Sequence, residues 1–588
     1  MDIILQKRYL YVGAFTIISH MENPELLGKA GKKVVLLGNE AIARGAIEAG
    51  LGLAACYPGT PSSEVGLSLA DIAKVRKKTG LYFEWSTNEK VAAEVAAAAS
   101  YCGVKTLTAM KHFGFNVASD SLLPFAYTGV RGGMVVYVAD DPQGHSSAQS
   151  EQDSRFYAKM GNFPMLEPTN PQECKDFTIK AFEISKRFQI PVIIRTTTMT
   201  SHSIGTVRLG TIPQPVTKGR FKKDPDKYFS IRPHLQVLHH RVIKKMADIE
   251  KAYSNLNEME GTGKSGIGII TSGVSYNYVK EVCSGDVRIA KLNLTNPISR
   301  KFVARFLKGL KKAIVVEELE PVVEDFVRKV ALDVNPKVKI HGKDLFPRVG
   351  ELLPTIVEKG LVKAGVPGVY VPNFSEHEKS IQIISRCLLP RKPIFCPGCP
   401  HAFTYKSVKK VMGKDTVWAG DVGCYTIGLL EPYNMADFVI SMGASQGMSH
   451  GIRKVSKQKV VAFIGDSTFF HAGMPGIANI VYNESDPLII VMDNGITAMT
   501  GHQPHPGAGF NATWDETQPI DIEAVARGIG IKHVKVVNPM DSKKMEAAVR
   551  AYKNMKGPRM IISRCMCALH SKRLARAGLT SPHKRMKK

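Results

Sequence analysis

Three successive α/β units, each built on a parallel sheet, are what this sequence predicts. Its 588 residues, at roughly 100–200 per domain, make three or four domains. Short apolar runs alternate with helix-length segments, the pattern of parallel sheets with crossover helices. A stretch rich in Lys, Pro and His at 205–262 interrupts that alternation.

The elements follow in order. Residues 1–32 read as a leader, with Met21 as a second candidate start. Lys33-Val-Val-Leu-Leu-Gly predicts an opening strand or a strand-to-helix turn. Residues 41–49 read as a helix, Leu53-Ala-Ala-Cys-Tyr as a strand and Pro58-Gly-Thr-Pro as a loop. An alanine-rich helix over 90–101, a buried strand at Val135-Val-Tyr-Val and another at Ile190-Pro-Val-Ile-Ile-Arg complete a first unit, 33–204. Residues 205–262 read as a linker. Gly266-Ile-Gly-Ile-Ile, Val287 to Leu294 and Lys312-Ala-Ile-Val-Val-Glu-Glu outline a middle unit, 263–390. Val460-Val-Ala-Phe-Ile-Gly, Leu488-Ile-Ile-Val-Met-Asp and Arg559-Met-Ile-Ile-Ser outline a third, 391–570. A basic tail, 571–588, ends the chain.

The net charge of +27 raises nucleic acid as a partner. The basic residues are dispersed, however, and neither a zinc finger nor an RNA-binding aromatic motif occurs. The reading is a general basic bias with a solvated tail, whose field would draw in an acidic partner. The uncharged run from Tyr9 to Ile18 is about half the length that spans a bilayer. Ten cysteines in so long a chain make no disulfide framework and point to a reducing compartment. A cytoplasmic protein, bound to neither membrane nor nucleic acid, is expected.

Gly465-Asp466-Ser467 ends one apolar strand and Asn494 ends the next. Ligands of open α/β sheets bind at such strand ends. A carboxylate and an amide oxygen there suit Mg²⁺, which would bridge them to a diphosphate. Each pair alone reads equally as a turn. Together they match the thiamine-diphosphate motif, Gly-Asp-Gly followed some 25–30 residues later by Asn, with Ser467 replacing the second glycine. Cys396-x-x-Cys399 with remote cysteines suits Zn²⁺ or an iron–sulfur cluster; unconnected buried cysteines are the alternative. Ser86-x-x-Glu89 has the spacing of a capping box, and Tyr57-Pro-Gly-Thr60-Pro-Ser-Ser that of a proline-braced turn.

Cys396-Pro-Gly-Cys-Pro-His, Gly420-Asp-Val-Gly-Cys-Tyr-Thr, Ser441-Met-Gly-Ala-Ser, Gly465-Asp-Ser-Thr-Phe-Phe-His and Thr497-Ala-Met-Thr-Gly-His-Gln-Pro-His-Pro-Gly carry a resemblance. They are similar to the large subunits of the indolepyruvate branch of the 2-oxo acid:ferredoxin oxidoreductase family, from about residue 33 to 569. The resemblance implies a pyrimidine-type thiamine-binding fold for 33–204 and a diphosphate-type fold for 391–570. Between them it implies a middle domain like the transketolase C-terminal one. It implies that Glu89 activates the cofactor's aminopyrimidine and that Thr60 contacts the substrate. It assigns Gly465, Asp466, Ser467, Asn494, Ile496 and Thr500 to thiamine diphosphate, with Asp466 and Asn494 on Mg²⁺. Cys396, Cys399, Cys424 and Cys567 would bind a [4Fe-4S] cluster, Cys565 competing for the fourth place. Lys111 and His112 are expected along the cleft, His112 reading equally as a surface residue at a strand end. Pyruvate enzymes of the family carry Asn where Met499 stands, so Met499 would suit an aryl group.

The implied reaction is oxidative decarboxylation of aryl 2-oxo acids, indolepyruvate and phenylpyruvate among them. Coenzyme A would take the acyl group and ferredoxin the electrons. A β subunit, in an α2β2 assembly, is the implied partner. The family normally continues into a C-terminal ferredoxin-like domain, and its paired C-x-x-C-x-x-C-x-x-x-C-P runs do not occur in these 588 residues. That leaves two further expectations open: a non-oxidative thiamine-dependent decarboxylase or ligase, and a truncated, non-catalytic subunit.

Overall fold

A computed structural model of the protein describes residues 23–75, 80–147, 149–369, 374–389 and 392–576. The chain divides into two compact units, Met21–Pro390 and Arg391–Lys588.

The first unit contains β1 (Lys33–Leu37), β2 (Leu53–Cys56), β3 (Tyr82–Trp85), β4 (Thr106–Lys111), β5 (Met134–Asp140), β6 (Met165–Leu166), β7 (Val192–Thr197) and β8 (Ile204–Arg208). It continues through β9 (Glu258–Glu260), β10 (Ile267–Ser272), β11 (Arg288–Leu292), β12 (Leu294–Asn296), β13 (Lys312–Val316) and β14 (Lys339–His341). A seven-stranded sheet runs β12-β6-β7-β5-β4-β2-β3, parallel except for β12. Every residue of β5 and β7 is buried. Strands covered by helices on both faces read as continuous apolar runs, which is why they were visible in the sequence. A second sheet runs β14-β13-β10-β11-β9, with β9 antiparallel.

The two sheets are joined through buried charge. Arg155 bonds Asp153 and, across the junction, Glu317 Oε2 at 2.5 Å, while Arg195 bonds Asp140 and Glu167 at 2.7 and 2.9 Å. These ions are buried only as hydrogen-bonded pairs, the condition under which burial is tolerated.

The second unit adds β15 (Val417–Ala419), β16 (Val460–Gly465), β17 (Leu488–Asp493), β18 (His533–Val537) and β19 (Arg559–Arg564), in a parallel sheet ordered β15-β16-β17-β19-β18. Helices Pro400–Val411 and Ser542–Tyr552 contribute to one apolar cluster, including Tyr405, Val408, Met545 and Val549. Among the described residues, no helix is long and apolar enough to cross a membrane.

The structure departs from the sequence reading in several places. β1 does not open the main sheet but pairs antiparallel with β8, Lys33 opposite Arg208. The linker reading of 205–262 is corrected: β8 reaches Arg208, and a helix spans His234–Tyr253. That helix buries Leu238, Val242, Met246, Ile249 and Tyr253. The three- and four-residue spacing is helical, but the Lys, Arg and His between these positions masked it. Most of the expected leader and tail, residues 1–22 and 577–588, lies outside the described residues. Of the remainder, Pro24–Leu27 forms a 3₁₀ turn with Leu26 buried, and the Leu26 carbonyl accepts from Arg44 at 2.7 Å. Helix Ala568–Arg576 takes up the first part of the basic stretch.

Candidate active site

Every residue of β16 and β17 is buried, and the two strands run parallel with Gly465 opposite Met492. This register brings Asp466 and Asn494 to one carboxyl edge. Asp466 Oδ2 accepts the backbone N–H of Asn494 at 3.0 Å and of Gly495 at 2.6 Å, and Oδ1 accepts that of Ser467 at 2.8 Å. His505 Nε2 stands 3.2 Å from Asp466 Oδ2, outside good hydrogen-bond alignment. The Gly507 N–H donates to His505 Nδ1 at 3.1 Å, so the ring proton belongs on Nε2, toward the carboxylate. Burial alone would raise the Asp466 carboxyl. The His505 ring and the N–H bonds outweigh it and hold the group below the ordinary carboxylate range.

The other predicted residues gather on the same edge. Asn494 Oδ1 accepts from Ile496 N–H at 3.1 Å, and Thr497 Oγ1 donates to Ser467 Oγ at 2.9 Å. Thr500 Oγ1 donates to Gln503 Oε1 at 2.7 Å, closing a turn that Thr497 and Gln503 also bridge through their backbones. Gly465 is required for a reason the sequence does not show: a Cβ there would lie 2.7 Å from the Tyr425 ring. An ionised, buried carboxylate with an amide oxygen beside it is a hard donor pair that fits Mg²⁺. Among the described residues, no three His, Cys, Asp or Glu side chains already converge on a metal position.

The cysteines lie beside this edge. After β19 the chain continues along β17, Cys565 N–H bonding the Asp493 carbonyl and Cys567 N–H the Asn494 carbonyl, both at 3.0 Å. Asn494 Nδ2 lies 3.0 Å from His401 Nε2, two positions past Cys399. Burial pushes the Cys399 thiol up to about 11, and the charges of Cys567 and Cys396 add to it. Burial pushes Cys424 to about 12, reinforced by Cys567, Cys399 and Cys396. These four thiols therefore stand within electrostatic range of one another. Cys565, raised first by burial, answers only to Cys567 among them. Cys396 is exposed and Cys399, Cys424 and Cys567 are half-buried; sulfur donors are the soft ligands an iron–sulfur cluster takes once deprotonated, and in that chemical sense they fit one.

Thr60 and Glu89 belong to the first unit. Ser86 does not cap the helix Glu89–Tyr101; Asn88 does, its side chain accepting from Val91 N–H at 2.9 Å, while Ser86 Oγ donates to Glu84. The capping-box alternative for Glu89 is thereby corrected. Glu89 is buried at 5% exposure and packs where Gly114 leaves room: a Cβ at Gly114 would lie 2.7 Å from Glu89 Oε1. Thr60 is half-buried in the turn after β2, which Ser62 Oγ braces by donating to the Gly59 carbonyl at 2.6 Å. His112 is fully buried, with Nε2 3.3 Å from the Ser150 carbonyl.

Two family models match the chain. Residues 44–262 match the thiamine-diphosphate-binding model of pyruvate flavodoxin/ferredoxin oxidoreductases, and residues 421–563 match the C-terminal TPP-binding domain of thiamine pyrophosphate enzymes. The indolepyruvate oxidoreductase subunit IorA of Thermococcus kodakarensis is 42% identical, over 95% of this chain and 89% of its own length. The chain belongs to the IorA family. The IorA subunit of Pyrococcus horikoshii is 43% identical over 93% of this chain and 87% of its own. That of Methanothermobacter thermautotrophicus is 42% identical over 94% and 90%. Membership of the IorA family makes this chain an oxidoreductase subunit with thiamine-diphosphate-binding folds. His401 and His505, which meet Asn494 and Asp466, drew no role from the sequence. Both stand inside the motif strings quoted above, and only the folded strand ends reveal what they touch.

Proposed function

We propose that this chain is the catalytic subunit of an enzyme that oxidatively decarboxylates aryl 2-oxo acids, indolepyruvate foremost. Residues 33–204 act as the pyrimidine-type domain, 263–390 as the middle domain and 391–570 as the diphosphate-type domain. A β subunit completes an α2β2 enzyme, coenzyme A receives the acyl group and ferredoxin the electrons. The observation that carries this reading is the meeting of two kinds of donor at one edge. Cys567 bonds the backbone of Asn494, whose side chain reaches the histidine next to the Cys396-x-x-Cys399 loop.

Thiamine diphosphate, when bound, would supply the electron sink that decarboxylation needs. The chain's own residues do the rest. Asp466 and Asn494 would hold Mg²⁺ for the diphosphate, and His505 helps keep the Asp466 carboxylate ionised. Ser467, Ile496 and Thr500 line the loop around them. Glu89 holds a proton at the aminopyrimidine, and Thr60 contacts the substrate. Cys396, Cys399, Cys424 and Cys567 would hold a [4Fe-4S] cluster, which would supply one-electron chemistry there. Anaerobic assays of the assembled complex with indolepyruvate, phenylpyruvate, pyruvate and 2-oxoglutarate test this. Ferredoxin reduction with acyl-CoA formation, fastest for the aryl acids, is the expected result. Release of CO₂ and aldehyde without reduction would instead establish the non-oxidative activity.

Met499 bears on the aryl preference. It is 52% exposed within the turn that Thr497 and Gln503 close, where an adaptable thioether side chain is free to pack on a ligand ring. Met499→Asn is expected to shift relative kcat/KM from indolepyruvate toward pyruvate by about tenfold or more. An unchanged ratio would remove Met499 from the specificity determinants.

A further inference from the structure

We propose that Lys111 is the cation that receives the carboxylate of the 2-oxo acid substrate. The inference rests on the function proposed above and adds a residue to it. Its first support is topological. From β2 the chain moves to β3 on one side of the sheet, while β4 lies on the other. The carboxyl ends of β2 and β4 therefore flank a switch point, the crevice where open α/β sheets take their ligands. The loop carrying Gly59 and Thr60 leaves β2 there, and Lys111 is the last residue of β4.

The side chain is placed for the task. A Cβ at Gly59 would lie 3.0 Å from Lys111 Cγ and 3.1 Å from Cδ, so the lysine stem runs directly under the Thr60 loop. Lys111 Nζ donates to the Ser146 carbonyl at 3.0 Å. The charges of Asp141 and Glu89 act on it at longer range, but among the described residues no carboxylate pairs with it within 4 Å. Asp141 is committed elsewhere, accepting from Ser146 N–H at 2.8 Å, Ser147 Oγ at 2.6 Å and Thr198 Oγ1 at 2.7 Å. Arg155 and Arg195, the nearby buried cations, are held by their own carboxylates. Burial lowers the Lys111 ammonium to about 8, as expected of a cation that has lost water without gaining an ion pair. An incoming carboxylate would provide that pair.

The test compares complexes carrying wild-type Lys111, Lys111→Met and Lys111→Arg. Four quantities are read: KM for phenylpyruvate, the competitive inhibition constant of 3-phenyllactate, Mg–thiamine diphosphate affinity and melting temperature. Phenyllactate keeps the carboxylate but lacks the reacting carbonyl, so it reports binding without turnover. Lys111→Met is expected to raise KM and the inhibition constant together by about ten- to a hundredfold, with cofactor affinity unchanged. Lys111→Arg should stay within a few-fold of wild type in both, which also covers the case of a Met variant that fails to fold. An unchanged phenyllactate constant in a folded Lys111→Met complex overturns the assignment, and so does a tenfold loss in Lys111→Arg. Wild-type complex that binds the cofactor but oxidises no 2-oxo acid overturns the parent reading, and this one with it.

Discussion

Glu89→Gln is expected to lower kcat by about 10²–10⁴-fold while the protein stays folded and binds thiamine diphosphate. The size follows from the proposed role. A carboxyl that holds and returns a proton at the aminopyrimidine cannot be replaced by an amide, which keeps the shape but loses the proton. Folding should be nearly indifferent, because Glu89 is not the cap of its helix: Asn88 supplies that hydrogen bond, and Gln fits the space that Gly114 leaves. The loss should therefore fall on kcat, with melting temperature within a few degrees of wild type and cofactor affinity within a few-fold. Single-turnover kinetics with cofactor titration checks this. A Gln variant with wild-type kcat would show Glu89 to be a packing residue.

Cys567→Ser is expected to strip the protein of most of its iron and to lower ferredoxin reduction by at least about 100-fold, since loss even of a ligand's supporting partner costs 10–100-fold. Cys565→Ser should leave iron and activity close to wild type. The two thiols are two positions apart, so the contrast is a stringent control. Burial raises the Cys424 thiol first, and Cys567, Cys399 and Cys396 add to it. The Cys567 N–H also bonds the Asn494 carbonyl at 3.0 Å. Iron and sulfide analysis of both variants, purified anaerobically, decides between them. Equal iron loss in both would mean that the chain end reorganises around the cluster.

The sheets were most legible where buried strands carry continuous apolar runs, as in β5, β16 and β17 and in the Val192-Ile-Ile start of β7; β4, nearly as buried, was not read because threonines interrupt it. β15 and β18 were not seen. β15 is three residues long, and β18 exposes His533, Lys535 and Val536 while burying Val534 and Val537, so no clean run marks it. The helix His234–Tyr253 was hidden by charge around a narrow apolar stripe. At the site, Asp466 and Asn494 were legible because two strand-end turns stood on consecutive strands. Their partners were not. His401 precedes Asn494 by 93 positions, and nothing local in the sequence ties them. Lys111 was expected along the cleft, but its want of an ion pair emerges only once Asp141 is seen bonded to Ser146, Ser147 and Thr198.

The central claim is that carbon chemistry and the first electron acceptor reside in one chain. The most direct measurement is made anaerobically on the purified protein with its partner subunit, following cluster absorbance after adding thiamine diphosphate, Mg²⁺ and indolepyruvate. Bleaching that requires all three additions, and that Glu89→Gln abolishes, is the predicted result. Iron-free protein that still binds thiamine diphosphate and consumes the acid, or iron absorbance untouched by it, would contradict the account.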